Sequence, residues 1–223
     1  MQSLLDFDLS YAQPLLGIDE VGLGCIAGPV VAAGVILPED YVLKRLLLES
    51  GVKDSKRLST SKRQCALEAI MSSGAAVFIS SVTASEVDNL GQAVCLDRLY
   101  REIISEALKD NRARTILLDG SRSPNIPYVL KTVVKGDNRS LSIAAASIVA
   151  KEHRDQIMLN LSRDPELSKY GWDRNNGYPT RDHIEALSKS GPSSRHRMST
   201  KPLAAYRSSK TTPGGSGFLN GDA

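Results

Sequence analysis

The chain has 223 residues, of which 41% are hydrophobic and 24% charged, so it can bury a sizeable core and is not a disordered protein. Its longest apolar run, residues 26–37, is broken by Gly28, Pro29 and Gly34, which argues against a membrane span. The three cysteines are scattered without a CxxC pair, which favours a reducing cytoplasm over a disulfide scaffold or a zinc site.

The net charge of +3 is unevenly distributed along the chain. Residues 1–50 carry 2 basic and 7 acidic side chains, residues 111–150 carry 6 and 2, and residues 151–223 carry 12 and 8. An acidic first part followed by a basic second part indicates a polyanionic partner that approaches an acidic pocket. Ordinary surface variation would give the same excess, so charge alone does not establish nucleic-acid binding.

Apolar, β-branched stretches separated by turn-rich segments predict a mixed α/β protein. Strands are predicted over residues 15–21, 29–37, 75–82, 115–118 and 128–135. Helices are predicted over residues 40–49, 60–73, 92–109, 141–161 and 182–190, with Ser59 as the N-cap of the second. Thr83 and Glu86 have the spacing of a capping box and predict a further short helix. The first two strands form a hairpin and the later ones alternate with helices, so antiparallel and parallel pairing are both expected in one helix-flanked sheet.

Acidic residues lie where the apolar strands are predicted to run or to end. Asp19 and Glu20 are adjacent within LLGIDEVG, and burying two unpaired carboxylates in a strand is costly. Asp119 ends TILLDG and Asp137 ends TVVKGD. Because active sites of open α/β sheets collect at strand ends, neighbouring strands would bring these four carboxylates together. Oxygen ligands without cysteine or histidine nearby favour Mg²⁺ or Mn²⁺, and two such ions about 4 Å apart would support in-line phosphoryl chemistry.

These acids also have an ordinary structural interpretation. LLDG and KGD are common turn endings in which the aspartate caps the turn. Side chains of a regular strand alternate between its two faces, so Asp19 and Glu20 cannot both point into one pocket. Either the strand bends at this pair, or one of the two residues contributes partly through its backbone carbonyl, and the residues alone leave both alternatives open.

Short motifs follow one another in a characteristic order along the chain. GIDEVGLGCIAGPVVAA at 17–33 is followed by DSKRLS, LLDG, VKGD, SIAAASIVAK, YGW, GYPT and RHR. This ordered set resembles the bacterial ribonuclease HII family over about residues 15–200. The resemblance implies a ribonuclease H-like mixed five-stranded sheet flanked by helices, with a helical C-terminal part. The chain is expected to consist of a catalytic domain at 1–163 and a helix-loop substrate-binding region at 164–207 packed on it. The low-complexity composition of residues 208–223 predicts a disordered tail.

The resemblance also implies an activity. The family hydrolyses the phosphodiester 5′ of a ribonucleotide, in RNA/DNA hybrids and at single ribonucleotides embedded in duplex DNA, and leaves a 3′-hydroxyl and a 5′-phosphate. Its metal-binding acids map onto Asp19, Glu20, Asp119 and Asp137, with two Mg²⁺ or Mn²⁺ ions expected in the substrate complex. A cytoplasmic monomer is implied, with no membrane association and with protein partners left open.

Substrate-binding residues carry over from the same motifs. The family's glycine-rich segment, which touches the ribonucleotide through its backbone, maps to Gly22, Leu23 and Gly24. The tyrosine that contacts the ribose 2′-hydroxyl maps to Tyr178, and this hydroxyl is what distinguishes RNA from DNA. Lys56 in the DSK motif is a candidate phosphate contact. Each has a plainer alternative, because the glycines suit any tight turn, Tyr178 could pack its loop, and a surface lysine is usually only solvated.

One departure from the family pattern is Leu23, where the family usually has arginine between the two glycines. Backbone contacts could survive this change, but a positive charge beside a phosphate is lost. Two competing functions follow from such departures: a non-catalytic nucleic-acid-binding protein with the same fold, and a related ribonuclease H-like nuclease that acts on another structure, such as a DNA junction. Retention of all four acids argues against the non-catalytic alternative.

Overall fold

A computed structural model describes residues 3–52, 58–109 and 112–208. It contains a five-stranded sheet with the strand order β3-β2-β1-β4-β5. The strands are β1 (Leu15–Val21), β2 (Val30–Ile36), β3 (Ala76–Val82), β4 (Thr115–Asp119) and β5 (Lys131–Val133). Strand β2 is antiparallel to both β1 and β3, whereas β4 is parallel to β1 and to β5. The predicted mixed five-stranded sheet is therefore confirmed.

Helices cover both faces of the sheet. They are α1 (Leu4–Leu9), α2 (Tyr41–Glu49), α3 (Thr60–Ser72), α4 (Ala84–Leu90), α5 (Gln92–Leu108), α6 (Leu141–Ser162), α7 (Trp172–Asn175), α8 (Arg181–Ser190) and α9 (Ala204–Ser208). One face packs against α5, where Leu16 and Ile18 of β1 join Leu99 and Ile103. Every residue of β2 is buried, as expected for an apolar strand between two helical layers.

Helix α6 lies close against the other face because its first turns are small. Ser140 caps the helix by accepting a hydrogen bond from the backbone N–H of Ile143, and the following residues through Ala150 are all buried. A Cβ on Gly17 of β1 would overlap the backbone of Ser142 and Ile143. This close approach requires a glycine in the strand and small residues on the helix.

Most predicted elements agree with the structure to within one or two residues, but two regions differ. Strand β5 covers three residues instead of the predicted 128–135: it is an edge strand in which Lys131 and Thr132 are exposed, and Val129 before it is exposed and unpaired with β4. Helices α1, α7 and α9 were not predicted. The longest of them has six residues, too few to show a periodic apolar pattern. No helix among residues 3–52, 58–109 and 112–208 has the length and apolar character to cross a membrane.

Candidate active site

The ends of the two central parallel strands bring Asp19 and Asp119 to the same face of the sheet. Strands β1 and β4 pair in register up to Ile18 and Leu118, so the two aspartates that follow are neighbours. Both lie on the face covered by α6, because the residues two positions earlier lie against that helix: a Cβ on Gly17 would point at Ser142, and Leu117 packs against Ile143. The Ser147 hydroxyl of α6 hydrogen-bonds to Asp19, which is 4% exposed.

Asp137 lies on the next turn along the same edge. It belongs to a 3₁₀ turn at Gly136–Asn138 that follows β5, and it is buried. Lys135, just before this turn, has a φ of 54°, which non-glycine residues rarely adopt. The backbone N–H of Gly136 donates to Asp119 Oδ1 at 2.6 Å, so one hydrogen bond ties the end of β4 to the turn that carries Asp137. The structure thus brings Asp19, Asp119 and the turn that carries Asp137 to one edge of the sheet, and the use of the four acids as a metal site stays a prediction.

Glu20 lies on the opposite face of the sheet. The register of β1 with β2 continues without a bulge through Asp19 and Glu20, so the strand does not bend at this pair. The Tyr100 hydroxyl of α5 donates to Glu20 Oε2 at 2.7 Å. Of the two alternatives that the sequence leaves open, a bend is therefore wrong, and the carboxylate of Glu20 is turned away from that of Asp19.

The electrostatics of Asp19 are dominated by burial and by neighbouring negative charges. Burial, followed by the carboxylates of Glu20 and Asp119, raises the pKa of Asp19 to about 8. A carboxyl group in this environment is stabilised by added positive charge. All the donors are hard oxygens, so the chemistry of the set fits a divalent cation such as Mg²⁺ or Mn²⁺. Among the described residues, however, no three His, Cys, Asp or Glu side chains lie close enough together to hold a metal ion. The carboxylate of Glu20 accepts a hydrogen bond from Tyr100 and does not face the other acids.

The glycine-rich segment follows directly from the end of β1. Gly22 has a φ of 98°, a conformation that favours glycine, and its carbonyl oxygen accepts a hydrogen bond from Arg197 Nη1 at 2.6 Å. Leu23 is half-buried and packs against the core cluster between the sheet and α5. Gly24 is exposed. The backbone of this segment is therefore fixed from the protein side while Gly24 faces solvent.

The structure places Tyr178 beside this segment. A Cβ on Gly24 would lie 3.8 Å from Cε1 of the Tyr178 ring, and this ring is 39% exposed. Of the predicted substrate-binding residues, the structure therefore brings Gly24 next to Tyr178, whereas Gly22 is buried and Leu23 packs toward α5. Lys56 lies outside the described residues.

Two buried arginines near this surface were not predicted as site residues. Arg154 of α6 is fully buried and donates to the carbonyl oxygens of Ala27, Pro29 and Asn176 at 2.8 to 3.1 Å. Arg197 is 1% exposed and binds Gly22 in the same way. The RHR motif contains Arg197, but a short motif does not show which carbonyl groups a side chain binds, and no motif named above contains Arg154.

A buried histidine pair leads to the backbone of Tyr178. The N–H of Ser193 donates to His196 Nδ1 at 3.0 Å, which assigns the His196 proton to Nε2. His196 Nε2 lies 3.1 Å from His183 Nε2, which also accepts from Trp172. His183 Nδ1 then carries the proton and donates to the Tyr178 carbonyl oxygen at 2.9 Å. Both histidines are neutral in this arrangement.

This histidine pair makes the stability of the protein depend on pH. Burial and then His183 lower the pKa of His196 to about 4, and burial lowers the pKa of His183 as well. An unfolded histidine has a pKa of about 6.5, so between pH 6.5 and 4 the unfolded chain binds protons that the folded chain does not. The free energy of unfolding should therefore fall as the pH falls, by about 2 kcal/mol from His196 between pH 7.5 and pH 5.

Urea unfolding at pH 7.5, 6.5, 5.5 and 5 measures this dependence. The matched control is His196→Gln, which lacks the titrating ring, and whose free energy of unfolding should vary less with pH over the same range. Equal pH dependence in the two proteins would contradict the assignment.

Comparisons with known proteins identify the family of this chain. The family model described as Ribonuclease HII matches residues 16–203. A curated Ribonuclease HII from Francisella tularensis subsp. novicida is 36% identical over 189 residues, which is 85% of this chain and 97% of that protein. Similar proteins from subspecies tularensis and holarctica have the same identity.

Solved structures show the same fold. The ribonuclease HII of the PCNA:RNase HII complex from Archaeoglobus fulgidus aligns with a TM-score of 0.66 and 26% identity, covering 84% of this chain and 95% of that chain. Ribonuclease H2 from Pyrococcus horikoshii has a TM-score of 0.68 at 21% identity, covering 89% and 99%. Bst-RNase HIII in complex with Mn²⁺ has a TM-score of 0.71 at 18% identity, covering 95% and 74%. With the family model matching most of its length, the chain belongs to the ribonuclease HII family of metal-dependent ribonucleases H.

Proposed function

We propose that this enzyme hydrolyses the phosphodiester 5′ of ribonucleotides in RNA/DNA hybrids and of single ribonucleotides embedded in duplex DNA, leaving a 3′-hydroxyl and a 5′-phosphate. The observation that carries the proposal is the position of the glycine-rich segment. It begins three residues after Asp19, and Gly24 lies against Tyr178. An exposed backbone and a tyrosine ring next to the end of the strand that carries Asp19 suit recognition of a ribose next to the bond that is cut.

In this proposal Asp19, Glu20, Asp119 and Asp137 hold two divalent ions in the substrate complex, either Mg²⁺ or Mn²⁺. The Mn²⁺ in the Bst-RNase HIII structure supports that choice. When bound, the ions supply positive charge beside the attacking water and the leaving 3′-oxygen. Asp19 and Asp119 already share a face and Asp137 is tied to Asp119 through Gly136. Because the Glu20 carboxylate faces Tyr100, Glu20 would contribute through its backbone carbonyl oxygen in this proposal.

The rest of the chain has a role in the same proposal. Residues 1–163 form the catalytic domain, residues 164–207 the substrate-binding region, and the enzyme works as a monomer in the cytoplasm. The cysteines of the described residues are all unpaired, which supports a reducing compartment. The basic excess of residues 111–150 and 151–223 supports binding of a nucleic acid through its phosphates.

A cleavage assay tests the proposal. The substrates are a DNA duplex with one ribonucleotide, an RNA/DNA hybrid and an all-DNA duplex, each with Mg²⁺ or Mn²⁺, and Asp119→Asn is the control enzyme. We expect a nick 5′ of the ribonucleotide, cleavage of the hybrid, no cut in all-DNA, and loss of both activities in the variant. Cleavage of only the all-DNA duplex would favour a nuclease with another substrate. Absence of cleavage of every substrate with either ion would favour a non-catalytic binding protein.

Replacing Leu23 by Arg should strengthen binding to duplex nucleic acid. Leu23 packs its side chain against the core cluster beside α5 but is only half-buried, so an arginine can keep its stem there while the guanidinium reaches solvent. One added phosphate contact steepens the dependence of log affinity on log salt by about one unit. Fluorescence anisotropy with a ribonucleotide-containing duplex at several salt concentrations measures the slope. Leu23→Gln is the uncharged control, and equal slopes in all three proteins would contradict the prediction.

A further inference from the structure

The backbone next to the glycine-rich segment is held by residues from the far end of the chain. The Arg197 guanidinium donates to the Gly22 carbonyl oxygen at 2.6 Å and to that of Gly28 at 3.0 Å. The Arg197 N–H donates to Ile26 O at 2.8 Å, and the Gly28 N–H donates to Arg195 O at 2.9 Å. Residues 195–197 therefore fix both ends of the segment that runs from Gly22 to Gly28.

The same three residues hold the backbone of Tyr178 through the histidine pair. His196 lies between Arg195 and Arg197 in sequence and hydrogen-bonds to His183, which donates to the Tyr178 carbonyl oxygen. Both histidines are buried, so water does not compete for these hydrogen bonds. Residues 195–197 thus bind the segment that carries Gly24 directly and the backbone of Tyr178 through His183.

The two elements are also joined directly. The backbone N–H groups of Ile26 and Ala27 both donate to the Gly177 carbonyl oxygen, at 2.9 and 3.3 Å. Arg154 spans the same junction, because it donates to Ala27 O and to Asn176 O. Moving one element would therefore strain its contacts with the other.

Burying the charged guanidinium group of Arg197 at this position costs free energy. Burial lowers its pKa to about 10, and its hydrogen-bond acceptors are neutral carbonyl oxygens. Its Nη2 atom is buried and has no hydrogen-bond partner among the described residues. An apolar side chain would pack here without the cost of desolvating a charge. The guanidinium group, unlike an apolar side chain, fixes the orientation of the backbone carbonyl groups of Gly22 and Gly28.

We propose that residues 195–197 are a positioning element that sets Gly22–Gly24 relative to Tyr178, and that they thereby determine how strongly the enzyme distinguishes a ribonucleotide from a deoxyribonucleotide. The inference rests on the proposed function, since it assigns the recognition surface to these residues. Neither Arg197 nor His196 touches the substrate in this proposal. Both act through the backbone that they hold.

Binding to two duplexes tests the inference. The parent protein is Asp119→Asn, so that dissociation constants can be measured without cleavage, and the ligands are an all-DNA duplex and the same duplex with one ribonucleotide. In Arg197→Gln the preference for the ribonucleotide should fall about tenfold, since hydrogen bonds from a charged donor are lost. Affinity for all-DNA should change little, because phosphate contacts do not read the ribose.

Three further variants separate positioning from general destabilisation. Arg197→Lys keeps a charged donor and should retain part of the preference, and His196→Gln should lower the preference through Tyr178. Leu203→Ala removes a fully buried side chain of the C-terminal region and should lower the melting temperature without changing the preference. If Arg197→Gln does not fold, Arg197→Lys and His196→Gln decide the result.

The possible failures are distinct. If the parent binds both duplexes equally and the native enzyme cuts no ribonucleotide-containing substrate, the proposed function is wrong, and this inference falls with it. If the parent prefers the ribonucleotide and folded Arg197 and His196 variants keep that preference, only the positioning role is wrong. Loss of the preference in Leu203→Ala would also overturn it.

Discussion

Asp19→Asn is expected to abolish cleavage while making the protein more stable. Asn keeps the shape of the side chain, and its Oδ1 can still accept the Glu20 N–H that donates to Asp19 at 2.8 Å. It removes the negative charge at the centre of the carboxylate group, which the proposed reaction needs. We expect kcat to fall on the order of 10³-fold or more, because several kcal/mol of charge stabilisation would be lost.

The gain in stability follows from the same charge. The folded pKa of Asp19 is about 8 and its usual value is 3.8, so the folded chain binds the extra proton between these pH values and its stability falls as the pH rises through that range. At pH 7 the buried carboxyl therefore destabilises the fold. Replacing it should raise the free energy of unfolding by about 3 kcal/mol in the presence of a chelator.

Asp8→Asn is the matched control for this prediction. Asp8 is 2% exposed and burial raises its pKa as well, but it accepts hydrogen bonds from the N–H and hydroxyl of Ser142 and is not one of the four site acids. Its substitution should leave kcat unchanged. Urea unfolding and initial rates of hybrid cleavage give both quantities. Full activity in Asp19→Asn, or a less stable fold, would contradict the account of Asp19.

Local sequence patterns predicted the sheet and the positions of the acids well. Strands β2 and β4 are almost wholly apolar stretches, β1 and β3 are mainly apolar, and glycine follows both β1 and β4, at Gly22 and Gly120. Because parallel strands end at the same edge, the sequence predicts that Asp19 and Asp119 converge if their strands are neighbours, and the pairing of β1 with β4 meets that condition. The cap residues Ser59 and Thr83 were likewise readable from local spacing.

Long-range contacts could not be predicted in the same way. The face on which Glu20 lies follows from the unbroken register of β1 with β2 and from the hydroxyl of Tyr100, 80 residues away. The contact between Arg197 and Gly22 joins positions 175 residues apart, and periodicity or spacing carries no information about it. Short helices such as α1 depend on tertiary contacts, here Asp8 at the start of α6, more than on their own sequence.

Gly17→Ala is expected to destabilise the protein strongly. Gly17 lies in the middle of β1 with an ordinary φ, so the effect is one of space and not of backbone strain. An added Cβ would lie 2.7 Å from the Ser142 carbonyl oxygen and closer still to the backbone of Ser142 and Ile143. These are backbone atoms in the first turn of α6, which cannot rotate away as a side chain can. Overpacking of this kind costs about 3 kcal/mol or more.

The matched control is Gly24→Ala, which makes the same chemical change at a position with an ordinary φ. There the new Cβ would lie 3.8 Å from the Tyr178 ring, an ordinary van der Waals contact, so stability should change by less than about 0.5 kcal/mol. Urea midpoints of the two variants measure the contrast, and equal midpoints would show that α6 can move away from β1 at little cost. Such movement would matter for function, because α6 begins four residues after Asp137 and its Ser147 contacts Asp19. A rigid contact between Gly17 and α6 therefore both stabilises the core and keeps these two acids at one edge of the sheet.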